Sequence, residues 1–159
     1  SLSSYLKNYP QGYYRNDALF YLSDCYVRAG NEAEAIVSLS ELAEQGQTQY
    51  SERVLDKLSS MCYKSERWAE AAKAYRSLYD VTSDAKLKKS SASGYVASTL
   101  KYADDEALLK MADDAEKMTV MTDVARRKAR YAKASVLLRW STECTRMQNF
   151  PILWKMQRF

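Results

Sequence analysis

Three cysteines, two acidic clusters and one basic run are the residues of this chain whose chemistry could go beyond packing. Cys25, Cys62 and Cys144 lie far apart and form no C-x-x-C pair, so their spacing signals neither a zinc ribbon nor a thioredoxin-type dithiol. The 159-residue sequence contains no histidine. That removes the commonest general base and the commonest metal ligand, and with them Ser-His-Asp, Cys-His and His-metal chemistry within this chain. Cys25 and Cys62 fall at or beside the packing positions of helices and are expected to be buried small hydrophobes, while Cys144 is expected to be exposed. A reactive thiol needs a cation or a helix N-terminus beside it, and the sequence specifies neither.

The acidic clusters are Asp104, Asp105 and Glu106, then Asp113 and Asp114. The first stands at a helix start, where carboxylates oppose the helix dipole. Neither cluster has the alternating oxygen ligands and central glycine of a calcium loop. No metal site, no cofactor and no enzymatic activity is expected. The basic run is Arg126, Arg127, Lys128, Arg130, Lys133 and Arg139, which Lys86, Lys88 and Lys89 could extend. It reads first as a solvated helix face, then as a surface for an acidic protein partner, and last as a nucleic-acid contact, because the apolar side of the same helix is needed for packing.

The elements that position these residues follow from composition and from an internal repeat. With 4 Gly and 2 Pro there is little turn material for an all-β fold, and no apolar run reaches the ~20 residues that would cross a bilayer. Leu19, Leu22, Ser23, Ala33, Glu34, Ala35 and Leu42 recur 36 residues later as Leu55, Leu58, Ser59, Ala69, Glu70, Ala71 and Leu78. Tyr26 is replaced by Cys62 and Leu39 by Tyr75 at the same lag. Apolar positions three and four apart make each copy a pair of amphipathic helices. Gly30 and Gly46 mark the stops, because a left-handed residue just past a helix end is free of strain when it is glycine. Ser23 against Ala35, and Ser59 against Ala71, would let the two helices of a pair approach closely.

The pattern of large-x-x-Leu-small-x-x-Tyr followed by Ala-x-x-x-aromatic, carried by Leu19, Leu22, Ser23, Tyr26, Ala35 and Leu39 and again by Leu55, Leu58, Ser59, Cys62, Ala71 and Tyr75, resembles the tetratricopeptide repeat over residues 16–80. The resemblance implies an all-α, right-handed superhelix of about three to four helix pairs. On that reading residues 1–159 are one domain: 1–10 the end of a truncated repeat, 16–46 and 52–80 two repeats, 86–117 a divergent third, 122–140 the first helix of a fourth, and 141–159 an irregular tail. Ala107 and Met111 continue the period in the third repeat. Its first helix fits only if the register slips by about one residue, which turns Ala92, Tyr95, Val96 and Leu100 inward. Thr122 or Asp123 is the expected N-cap of the fourth. In the tail, Pro151 falls where a paired helix is expected, which reads as an irregular cap or as a departure from the natural reading frame.

Leu6, Tyr9, Pro10, Tyr14, Ala18, Leu22, Tyr26 and Ala35 also match a cadence similar to the Tol-Pal-associated and outer-membrane-assembly lipoprotein branch of the family. That likeness implies a scaffold in the bacterial periplasm or at the outer membrane, cut from a longer array, although three cysteines without obvious partners fit an oxidising compartment poorly. The family's concave groove, carried over residue by residue, is lined by Asp17, Phe20, Asp24, Val27 and Arg28 and by Arg53, Asp56, Ser60, Tyr63 and Lys64. Phe20 is expected to be the ring on the binding face, while the tyrosines mostly fill joints. A peptide or a partner's helix would bind there. The alternative is a helical-repeat nucleic-acid module using helix 126–139, and exposed repeat ends could also seal a dimer.

Overall fold

The computed structural model describes residues 1–149, and the regular structure among them is helical throughout: α1 Leu2–Asn8, α2 Arg15–Arg28, α3 Glu32–Glu44, α4 Ser51–Lys64, α5 Trp68–Val81, α6 Ala85–Tyr102, α7 Asp105–Lys117 and α8 Asp123–Asn149. Each helix packs on the next along the chain, and α6 touches α8 as well as α5 and α7. α8 runs on past residue 140, where an irregular tail was expected to begin, and the Pro151 reading lies outside the described residues.

The turn that ends α2 and the turn that ends α4 are the same device placed 36 residues apart. After α2, Asn31 N–H donates to Tyr26 O at 2.9 Å and Gly30 N–H to Val27 O at 3.2 Å. After α4, Arg67 N–H donates to Cys62 O at 2.9 Å and Glu66 N–H to Tyr63 O at 3.3 Å. Both are Schellman closures, which satisfy the orphan carbonyls of the last turn and require one left-handed residue. In the first copy that residue is Gly30, with φ 76°, and in the second it is Glu66, with φ 58°. Gly46, at φ 88°, is also left-handed just past the end of α3, where the closing bond is Gln45 N–H to Leu42 O at 3.3 Å. The later helices begin on side-chain caps: Asp84 accepts from Lys86 N–H at 2.9 Å, Asp104 from Ala107 N–H at 2.9 Å, and Thr122 Oγ1 from Ala125 N–H at 3.1 Å.

Burial follows the repeat. Val54, Leu55, Leu58, Ser59 and Cys62 are the buried face of α4, and a shift of 37 carries all five onto buried residues of α6: Ser91, Ala92, Tyr95, Val96 and Thr99. Leu100 does not follow them. It is 40% exposed, because it stands one turn beyond Val96, in the last turn of α6 where the buried stripe ends. On α6, Gly94 faces α5 at close range: a Cβ there would stand 2.7 Å from the Tyr75 ring.

Two apolar clusters result. One joins α2, α3, α4 and α5 through residues such as Leu19, Phe20, Leu39, Val54 and Cys62. The other joins α5, α6, α7 and α8 through Tyr79, Val96, Met111, Met118 and Ala129. Tyr75, half-buried, packs against both.

Candidate interaction surfaces

α2 and α4 lie side by side and run in the same direction. The Tyr50 hydroxyl, at the start of α4, donates to Asp17 in the first turn of α2 at 2.7 Å. Two turns further along both helices, Lys57 pairs with Asp24. The two links have the same sequence offset of 33, so the helices are parallel, with the pairing displaced from the repeat lag by nearly one turn. The Asp17 carboxylate also holds the Tyr50 hydroxyl above the ordinary tyrosine pKa of 10.0, first through the hydrogen bond it accepts and then through partial burial.

This pairing corrects the expected role of Phe20, which is 2% exposed. Its ring stacks on Tyr50, 4.4 Å between centroids and 12° between planes, with the Arg53 guanidinium 5.0 Å and the Lys57 ammonium 5.6 Å from its centroid. Asp17, Phe20 and Asp24 do share one face of α2, as their spacing requires. α4 covers that face, so they join neighbouring helices and leave no ring open to a ligand. Of the remaining expected groove residues, Val27, Arg28, Arg53, Asp56, Ser60 and Lys64 are exposed. Tyr63 is half-buried, edge-on to Trp68 at 5.0 Å and to Tyr75 at 6.4 Å.

A second feature had no counterpart in the sequence reading. A cleft of about 520 Å³ opens between α3, α4 and α5, lined by Leu55, Leu58, Ala74 and Val81 and by Glu44, Glu70 and Lys73. The small residues Ser40 and Ala43 on α3, and Ala74 and Ser77 on α5, leave this gap unfilled. Their clustering was the available signal, and it shows only once α3 and α5 are known to flank the same helix.

The basic run is divided. Lys133 donates to Asp113 at 2.7 Å and stands 3.8 Å from Glu116. Arg139 pairs with Asp105, which also accepts the Trp140 indole N–H at 3.0 Å, and Arg126 donates to Met118 O at 3.1 Å. The hydrogen bond from Lys133 lowers the Asp113 pKa and, from the other side, raises that of Lys133. Among the described residues Arg127, Lys128 and Arg130 make no ion pair. Asp114 accepts from Tyr95 at 3.2 Å, so both acidic clusters act as caps and interhelical links.

The cysteines divide differently from expectation. Cys62 is fully buried, and desolvation pushes its thiol up to about 11. Cys25 and Cys144 are exposed. For Cys25 this is a correction. It stands two residues past the buried Ser23, which turns it to the opposite, solvent-facing side of α2. Among the described residues no group of three or more His, Cys, Asp or Glu side chains is placed to hold a metal ion, and no helix is long and apolar enough to cross a membrane. No protein-family model matches the chain, and comparison with curated proteins and with solved structures finds no match.

Proposed function

We propose that the chain is a non-catalytic protein-interaction scaffold of the tetratricopeptide type, a right-handed superhelix whose first helices line a shared face for a peptide or a partner's helix. The observation that carries this reading is the parallel pairing of α2 and α4 through Tyr50 with Asp17 and Lys57 with Asp24. Corresponding helices of successive copies linked to one another are what a stacked repeat requires, because each unit buries its apolar face only against its neighbours. The exposed side chains Val27, Arg28, Arg53, Asp56, Ser60 and Lys64 then form one strip of mixed charge across two helices. A strip of mixed charge suits a partner segment that carries complementary charges of both signs. Placement in a bacterial envelope rests on the Leu6 to Ala35 cadence alone and belongs to the same proposal.

A peptide library displayed on phage and panned on the purified chain tests the proposal. Enriched peptides should lose about tenfold or more in affinity against Arg28→Glu/Lys64→Glu. They should be unaffected by Val37→Ser on the exposed side of α3. Peptides indifferent to Arg28, Arg53 and Lys64 would overturn the assignment. The nucleic-acid reading of the basic run is weakened by the three members already engaged, Arg126, Lys133 and Arg139.

A further inference from the structure

α8 buries one face, Ala125, Ala129, Ala132 and Val136, whose spacing of four, three and four places them on a single stripe. Away from that stripe it carries a second one. Val124, Tyr131 and Leu138 stand seven residues apart and are 54%, 77% and 70% exposed. Seven residues nearly close two turns, so the three side chains align over about 21 Å of helix with only a slight drift. The exposed Ala134 beside them keeps the middle of the stripe low enough for another backbone to approach.

The charges beside the start of this stripe are mainly positive, with Asp123 the one carboxylate among them. Lys133 and Arg139 are answered by acids of α7, but Arg127, Lys128 and Arg130, in the first two turns of α8, are exposed and have no carboxylate partner among the described residues. We infer that this stripe docks an amphipathic helix of a partner protein, with its apolar anchors on Val124, Tyr131 and Leu138 and its acidic residues against Arg127, Lys128 and Arg130. Charge complementarity selects this occupant. A second copy of the chain would set three cations of its own against these three, with Asp123 the one acid of that stretch to answer them. A phosphate backbone would satisfy the cations and leave the apolar stripe in water, where burying it is worth ~25 cal/mol per Å² to a protein partner. The surface uses none of the α2 and α4 residues of the proposed groove, so the two stand or fall separately.

The probes are two fluorescein-labelled synthetic helices that share one Leu heptad stripe, one flanked by Glu and the other by Lys, together with a labelled single-stranded RNA and a labelled DNA duplex. Each is titrated with the full chain at low and at high salt, and anisotropy is read. The Glu-flanked helix should bind, more weakly at high salt, and the Lys-flanked one should not. Affinity should fall about tenfold or more both in Tyr131→Ser/Leu138→Ser and in Arg127→Glu/Lys128→Glu/Arg130→Glu. Arg28→Glu/Lys64→Glu should leave it unchanged. The proposal is overturned if neither helix binds, if Tyr131→Ser/Leu138→Ser has no effect, or if an oligonucleotide binds more tightly than the Glu-flanked helix. It is also overturned if sedimentation finds a wild-type dimer that Leu138→Ser dissolves, because the stripe would then belong to a second copy.

Discussion

Phe20 and Tyr50 stack ring on ring across the joint between α2 and α4, and the Tyr50 hydroxyl at the rim of that stack donates to Asp17. The contact combines buried aromatic area with one polar tie, and the two parts can be separated by substitution. Phe20→Ala should destabilise the chain by about 3–5 kcal/mol, the usual cost of emptying a buried aromatic site. Tyr50→Phe keeps the stack and removes the hydroxyl, so it should cost about 1 kcal/mol. Urea unfolding followed by circular dichroism measures both. Equal, small effects would mean that Phe20 is not an interhelical anchor.

Glu66 occupies the left-handed position that Gly30 occupies one repeat earlier. A side chain with a Cβ is strained there, by about 1–2 kcal/mol in this region of backbone space. Glu66→Gly should therefore stabilise the chain by about 1 kcal/mol, after the extra freedom of glycine in the unfolded chain is set against the strain relieved. Gly30→Ala should destabilise by a comparable amount. An unfolding midpoint that moves down in Glu66→Gly would contradict the shared closure.

Gly94 faces the Tyr75 ring so closely that an added methyl must displace it. Gly94→Ala should cost about 1–3 kcal/mol by overpacking. Because the obstacle is one side chain, Tyr75→Ala should relieve part of the penalty, and the double variant should be more stable than the sum of the two singles predicts. Additive effects would place the strain elsewhere.

The three thiols should react in two classes. Cys25 and Cys144, both exposed, should be alkylated in the native protein, and Cys62 only when the chain unfolds. Intact mass after timed maleimide exposure counts the modified sites. Three rapid additions would contradict the burial of Cys62.

Stability should fall on the alkaline side. The Cys62 thiol is raised from 9.0 to about 11 by burial, and burial likewise raises the Tyr75 and Tyr95 phenols above 10.0. Between the unfolded and folded values the unfolded chain loses the proton first, so stability declines from about pH 9 upward, by up to ~1.4 kcal/mol per pH unit for each group. Cys62→Ala should flatten the profile between pH 9 and 10 and leave the steeper fall above it. Urea midpoints measured from pH 7 to 11 would refute this if they stayed level.

Much of the helical order could be read from residue spacing, because each amphipathic face is a local property. Leu55, Leu58, Ser59 and Cys62 are buried where the repeat put them, and Gly30 stops α2 as its conformational freedom suggests. What spacing could not supply was the identity of the covering element. Phe20, Asp17 and Asp24 were grouped on one face, but the decision between ligand and neighbour belongs to Tyr50 and Lys57, in a helix one repeat further along the chain. The stop after α4 was hidden for a different reason, since Glu66 gives no sign of a left-handed backbone. The cleft beside Leu55 and Leu58 was hidden because a gap is a property of three helices together.

Tyr75 belongs to both apolar clusters, and α5 supplies Ala71 and Ala74 to one and Ala72 and Tyr79 to the other. α5 therefore works as a party wall. Neither half can shed it without exposing the other, so a local loosening near α3 should raise the exchange rate of amides in α6. Hydrogen exchange would register this as one protected block centred on α5, with protection decaying outward toward α1 and toward the distal turns of α8.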